Sequence, residues 1–311
     1  MSSLVWLLLL IMIATTSFGL KWLKSNSLGR SFTTQRLHSE PQEWRADYSR
    51  YKSSFSSVTS QQWVELETLA AKLYEWNSKI NLVSRKDVNQ LVENHILPSL
   101  SISKVRRFEK GERIIDVGTG GGLPGLPLAI VNPQATFTLL DSNSKKMMVV
   151  EDLVRVLGLE SRVTVAKSRA EDHRQTYDFI LGRAVKAMPE FLGFSCHLLA
   201  PRSSNAHADA DTPATSALPS GLLYLKGGDF SEELAAAGVD AASVQSLAVS
   251  DLVDGLQSDK SVLFLPAAQI TAFRQRLAAQ QSTSTAEAKV SPSAKTSDKP
   301  RGKSRARPDF K

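Results

Sequence analysis

A single cysteine, Cys196, occurs among the 311 residues. That excludes a disulfide framework and any cysteine-rich zinc site. Cys196 lies on an apolar helical stretch and reads as plain core, and no cluster of residues with metal-ligand spacing is present, so no metal is expected. The chain also lacks a hydrophobic run long enough to span a bilayer: residues 4–14 are nearly all apolar but too short. The middle of the chain lacks an excess of positive charge. Of the formal +7, residues 1–39 carry +4 and residues 287–311 carry +5, leaving −2 for residues 40–286. Basicity belongs to the ends, and bulk charge is weak evidence for nucleic-acid binding by the folded body.

The ends have their own compositions. The apolar run at 4–14 is followed by Thr15-Thr16-Ser17, the build of a signal-peptide core and cleavage region, although no Lys or Arg precedes it. Residues 21–39 are rich in Ser, Thr, Lys and Arg and contain no acid, a transit-peptide composition. With Phe18 between them, the two parts resemble the presequences of algae whose plastids lie inside extra membranes. Residues 1–39 are thus expected to be a plastid presequence, with the mitochondrion as the alternative destination. A single N-terminal membrane anchor is the competing reading; a processed protein would have no stable membrane association. Residues 201–220, rich in Ser, Ala, Asp and Pro, read as a disordered insertion. Residues 282–311 read as a flexible basic tail. Between the ends, 40–110 is expected to be a helical subdomain and 111–281 an α/β domain.

In the helical part, Thr59-x-x-Gln62 is a capping-box pattern. Trp63, Leu66, Leu69, Ala70, Leu73, Trp76 and Ile80 follow at helical spacing as a core stripe to about residue 79. Residues 81–84 make a turn, and Ser84-x-x-Asp87 is expected to cap a second helix through His95-Ile96-Leu97. From Arg113 onward strands and helices alternate. Strands are expected at 113–117, 136–141, 162–166, 177–181, 222–226 and 261–265. Helices are expected at 144–157, stopped by Gly158, at 188–199 and from about Pro266. Such alternation predicts an open α/β sheet with ligand sites at the carboxyl ends of its strands.

The most informative stretch is R-I-I-D-V-G-T-G-G-G-L-P-G at 113–125. A buried parallel strand, a glycine turn and a helix start aim backbone N–H groups at a ligand, and glycine lets that ligand touch the backbone. A dinucleotide fingerprint can be written as Gly120-x-Gly122-x-x-Gly125, but it begins three residues beyond the strand end. The better-placed register is Asp116-x-Gly118-x-Gly120-x-Gly122, which resembles the first motif of class I methyltransferases that use S-adenosylmethionine. Asp116 is then placed to orient the methionine end of the cofactor, through backbone or water. Asp141, about twenty residues after the turn, can accept both ribose hydroxyls. Each acid has an ordinary alternative, Asp116 as a loop cap and Asp141 as a helix N-terminal acid.

Further motifs agree: Asn81-Leu82; His95-Ile96-Leu97 with Ser99; Leu139-Leu140-Asp141-Ser142 with Lys145-Lys146; Ser168-Arg169-Ala170-Glu171; Gly182-Arg183-Ala184; and Leu225-Lys226-Gly227. Together they resemble the RsmG (GidB) family, over residues 63–226 and more loosely to about 265. The resemblance implies a class I S-adenosylmethionine-dependent methyltransferase fold, a Rossmann-like open sheet with an N-terminal helical subdomain. It implies N7-methylation of one guanosine in small-subunit ribosomal RNA, with that RNA or a subunit precursor as partner. Cofactor contacts carry over to Gly118, Leu123, Ala170, Glu171 and Arg183, beside Gly120 and Asp116 from the motif itself and Asp141 from its distance to the turn. Glu171 or the Ala170 backbone could meet the adenine edge; Glu171 reads equally as a solvated helix residue. His95 could line the target pocket, and Arg183 and Lys226 could hold phosphate or the guanine O6 edge.

Two departures stand out. Pro98 replaces the family's usual Asp, which puts any His95–carboxylate pair in doubt, and Gly182 replaces a common Ser, which removes a hydroxyl beside the cofactor. Guanine N7 has a free lone pair and no proton at neutral pH, so no general base is expected. There is also no Asn/Asp-Pro-Pro-aromatic motif for exocyclic amines and no Pro-Cys pair for attack at pyrimidine C6. Lys104, Arg106, Arg107, Lys110 and Arg113, or Lys145-Lys146, could add an RNA patch. An NAD-binding oxidoreductase and a non-catalytic ribosome-assembly factor are the rival readings.

Overall fold

The computed structural model describes residues 46–201 and 219–290. The presequence, almost all of the insertion and the end of the tail therefore lie outside the described residues. A capping box starts helix α1 (Ser60–Asn77): Gln62 N–H donates to Thr59 Oγ1, and Gln62 Oε1 accepts from Thr59 N–H. Trp63, Leu66, Leu69, Ala70 and Leu73 are buried as the helical spacing predicts, whereas Trp76 and Ile80 are only partly buried.

The expected second helix is built differently. Ser84 caps only its own turn, where its hydroxyl accepts from Lys86 N–H. The helix proper follows a π-turn at Val92–Ile96 and becomes α2 (Leu97–Val105). Pro98 supplies the reason, because it has no N–H for the carbonyl of residue 94. Leu97 N–H reaches back to Val92 O, five residues earlier. Ser99 Oγ takes up the His95 carbonyl at 2.7 Å. His95 lies within the π-turn, and such turns are frequent at functional sites.

The sheet has strands β1 (Arg113–Val117), β2 (Thr136–Asp141), β3 (Val163–Lys167), β4 (Phe179–Arg183), β5 (Gly221–Gly227), β6 (Gln245–Ala248) and β7 (Lys260–Pro266). Their order is β3-β2-β1-β4-β5-β7-β6; β1 to β5 are parallel and β7 runs antiparallel to both neighbours. Side chains alternate across it: Ile114, Leu223 and Leu225 join the core beneath α1, while Ile115, Leu222 and Tyr224 join the other. Helices α3 (Gly125–Val131), α4 (Ser144–Val156), α5 (Met188–Ser195), α6 (Ser231–Ala236), α7 (Val249–Leu252) and α8 (Ala267–Val290) complete the described α-helices. Helix α8 runs past residue 281, where the tail was expected to begin. Among the described residues no helix is long and apolar enough to cross a membrane.

The strands at 113–117 and 136–141 lie where expected, but β4 sits two residues later than the expected 177–181. Gly182, one residue past the expected end, is part of the strand. It belongs inside, because a Cβ there would lie 2.6 Å from Phe191 Cζ and 2.7 Å from the Tyr224 ring. Strand β6, with no apolar alternation, was not anticipated. Strand order reverses between β1 and β4, and an open sheet has its natural crevice at the carboxyl ends of those strands.

Candidate active site

A cleft of about 610 Å³ opens at that reversal point. Its walls include residues 117–121, Leu123, residues 140–142, Lys146, residues 168–171 and residues 183–186. Seven of the eight expected cofactor residues therefore converge on one space: Gly118, Gly120, Leu123, Asp141, Ala170, Glu171 and Arg183. The eighth, Asp116, does not.

The floor is the turn after β1. Gly118 and Thr119 N–H both donate to Leu140 O, at 2.8 and 3.0 Å, tying the turn to the end of β2. Gly118 has φ +71°, and a Cβ would press on Val185 Cγ2 at 3.0 Å, so both backbone and space call for glycine. Asp116 lies fully buried behind this turn. Its Oδ2 accepts from Thr119 Oγ1 at 2.6 Å and from Gly125 N–H, at the start of α3, at 2.8 Å. Burial pushes its carboxyl up to about 6, against the opposing pull of Thr119, Gly125 and Arg183. Asp116 thus caps the loop, and any effect it has on the methionine end would pass through the backbone of the turn it holds.

Asp141 is the contrasting acid. It is half-buried at the cleft wall; Oδ2 accepts from Gly120 N–H at 3.0 Å and Oδ1 from Asn143 N–H at 2.8 Å. A carboxylate has about four acceptor sites. After these two bonds each oxygen keeps capacity for one more donor, the pattern a ribose diol requires. Glycine backbone, a spare acidic acceptor and open volume together fit an adenosyl cofactor. Ala170 and Glu171 follow on a 3₁₀ turn, Ala170–Asp172, with Ala170 buried and Glu171 exposed.

The fourth wall follows β4. Arg183 Nη1 lies 2.8 Å from His95 Nδ1. Burial lowers the Arg183 pKa to about 10, with nearby Asp116 opposing the shift. Burial and then the Arg183 charge push His95 down to about 4. His95 is therefore neutral; it reaches the cleft only through Arg183 rather than lining it. The carboxylate that Pro98 seemed to remove is supplied from elsewhere, since Asp87 Oδ2 stands 3.9 Å from His95 Nε2. Beyond Arg183 the chain turns sharply through Ala184, at φ +50°. Tyr224 Oη holds that turn, accepting from Val185 and Lys186 N–H at 3.2 and 3.4 Å and donating to Lys186 O at 2.9 Å.

Three other expectations are corrected. Lys226 is not at the cleft; its Nζ is paired with Glu233 at 2.7 Å, and Glu233 also accepts from Met188 N–H. Position 182 faces the Phe191 and Tyr224 rings rather than the cofactor space, so the missing Ser hydroxyl removes nothing there. The basic cluster at 104–113 leads into the amino end of β1, away from the cleft; within it Arg106 is buried against Glu112 and Lys104 donates to Ser54 O. Of the other patch, Lys146 does line the cleft. Asp87, Val185, Phe194 and Tyr224 were not singled out for the site. Only Asp87 left a trace in the sequence, and it was assigned to a cap.

The family model described as GidB, rRNA small subunit methyltransferase G, matches residues 62–213. The ribosomal RNA small subunit methyltransferase G of Christiangramia forsetii is 41% identical over 219 residues, covering 69% of this chain and 95% of that protein. Its counterpart in Flavobacterium psychrophilum is 42% identical over 180 residues, 58% of this chain and 80% of that one. Among solved structures, the precorrin-6y C5,15-methyltransferase of Geobacter metallireducens superposes on 60% of this chain and 92% of that one, with TM-score 0.39 at 12% identity.

Proposed function

From the premise that the chain belongs to the rRNA small subunit methyltransferase G family, we propose that it methylates N7 of a guanosine in small-subunit ribosomal RNA, using S-adenosylmethionine. The observation that carries this reading is the cleft itself. An acid with free acceptor capacity, a positive-φ glycine turn and a cationic strand end surround one open volume. When bound there, S-adenosylmethionine supplies a methyl group on a sulfonium, an electrophile that an unprotonated ring nitrogen can attack directly.

The chain's residues then have positioning work rather than proton transfer to do. Asp141 would take the ribose hydroxyls. The Gly118–Leu140 bonds fix the floor, and Leu123 gives it an apolar face. Asp116 keeps the turn rigid from behind. Arg183 and Lys146 supply positive charge at the wall, suited to an RNA phosphate or a guanine oxygen.

Tritiated methyl transfer into undermethylated small-subunit RNA, followed by nucleoside digestion, tests the reading; 7-methylguanosine is the expected product. Calorimetry separates the rivals. Binding of NAD in place of S-adenosylhomocysteine would favour an oxidoreductase, and binding of S-adenosylhomocysteine without transfer would favour an assembly factor. We place the processed enzyme in a plastid on the composition of residues 1–39. A fluorescent reporter fused behind those residues should enter plastids, and cytosolic or mitochondrial retention would remove that assignment.

A further inference from the structure

Arg183 and His95, both among the expected site residues, hold each other from positions 88 apart in sequence. For Arg183 the partner is unusual in kind. A desolvated guanidinium is ordinarily met by a carboxylate, which cancels its charge. Here the acceptor at 2.8 Å is the Nδ1 atom of a neutral imidazole. An imidazole orients the cation without neutralising it, so the positive charge stays available to the cleft.

The second imidazole nitrogen is the informative one. Because Nδ1 accepts from Arg183, the ring proton resides on Nε2. Nε2 is buried and has no hydrogen-bond partner among the described residues, yet it stands 3.9 Å from Asp87 Oδ2. The other Asp87 oxygen accepts from Asn94 Nδ2 at 3.1 Å. The charged groups acting on His95 are Arg183 from β4, Asp87 from the preceding loop and Lys260 from β7. Asp87 alone is negative.

We propose that Asp87 and His95 are positioning residues: Asp87 attracts the Nε2–H of His95, and His95 Nδ1 in turn holds Arg183 in one orientation at the cleft wall. His95 lies in the π-turn ahead of Pro98, and Ser99 Oγ donates to the His95 carbonyl. This rests on the reading of the cleft as the transfer site.

The test uses the full chain with three variants. His95→Phe keeps an aromatic ring without either nitrogen; His95→Asn keeps an acceptor near the Nδ1 position; Asp87→Asn removes the negative charge. In the wild type, nitrogen-15 NMR of the imidazole should show the Nε2–H tautomer, and Arg183→Gln should shift the Nδ1 resonance. An Nδ1–H tautomer, or no shift, overturns the proposal whether or not methyl transfer is detected, which keeps its failure separate from failure of the functional reading. With undermethylated RNA, His95→Phe should lower kcat roughly 10- to 100-fold, the scale of a misplaced reacting group. His95→Asn should recover most of that loss, and Asp87→Asn should fall between the two. Melting temperatures identify any variant that fails to fold; the tautomer and the Asp87→Asn rate then decide. Equal activity in all three variants, or equal impairment of the Phe and Asn variants, overturns the proposal.

Discussion

The turn after β1 and the loop after β4 both line the cleft, yet they are stabilised by opposite strategies. The β1 turn is almost self-contained. Asp116 bonds to Thr119 and Gly125 within nine positions, and the remaining ties go to the adjoining end of β2. The β4 loop takes its shape from far away: His95 is 88 positions before Arg183, and Tyr224 is 38 or 39 positions beyond the amides it holds. One wall is specified by local chemistry and the other by the assembled fold. Rigidity of the first should survive changes elsewhere, while the second depends on distant side chains.

Gly125 offers the most complete break of this contrast. A Cβ at that position would lie 2.3 Å from Leu139 Cδ2 and 2.9 Å from Asp116 Oδ2. The methyl group of Gly125→Ala would both overpack the core and push the buried carboxylate off its donors. The expected cost is about 3 kcal/mol of stability, measured by denaturant unfolding, together with loss of S-adenosylmethionine binding. A variant that melts and binds like the wild type would show that the turn is softer than its contacts imply.

Locality also explains how much could be read from the residues alone. The acid–glycine alternation, the extent of β1 and β2, the capping box at Thr59 and the site of Asp141 all depend on neighbours in sequence. Gly182 looked like a hydroxyl lost from beside the cofactor because its reason for being glycine, two aromatic rings from α5 and β5, is visible only after folding. Lys226 looked available because Glu233, its partner, lies on a helix that no pattern announced. Asp87 carried the form of a capping residue and the position of a charge partner for His95. Pro98 signalled a missing carboxylate but not the π-turn that lets another one approach.

Asp141 sharpens the contrast from the β1 side. Asp141→Ala removes the acceptor for Gly120 and Asn143 N–H as well as the spare capacity offered to a ribose. Loss of charge-assisted hydrogen bonds should weaken S-adenosylmethionine binding by about 1–3 kcal/mol in calorimetry. An unaltered dissociation constant would refute the ribose assignment. Tyr224→Phe is the matching cut on the β4 side. It deletes one oxygen that serves Val185, Lys186 N–H and Lys186 O, at about 1–2 kcal/mol of stability. Methyl transfer should fall more than S-adenosylhomocysteine affinity, because the β1 floor is left intact. Equal losses in both would erase the distinction between the walls.

The smallest effect comes from acid, where the two walls oppose each other. Asp116 belongs to the β1 turn, and burial raises its pKa from 3.8 to about 6. His95 belongs to the β4 wall, and burial lowers its pKa from 6.5 to about 4. On acidification from about pH 6.5 to 4, the unfolded chain protonates His95 while the folded chain does not, so stability falls. Over nearly the same range the folded chain protonates Asp116 before the unfolded one does, so stability rises. In the wild type these contributions largely cancel. Asp116→Asn leaves His95 unopposed and should steepen the loss on acidification by about 1–2 kcal/mol across the window. His95→Phe leaves Asp116 unopposed and should tilt the profile the other way by a similar amount. Denaturant unfolding at several pH values reads both slopes. Should the two variants parallel the wild type, neither group is buried in the charge state that its surroundings dictate, and the electrostatic coupling of the two walls through Arg183 fails with it.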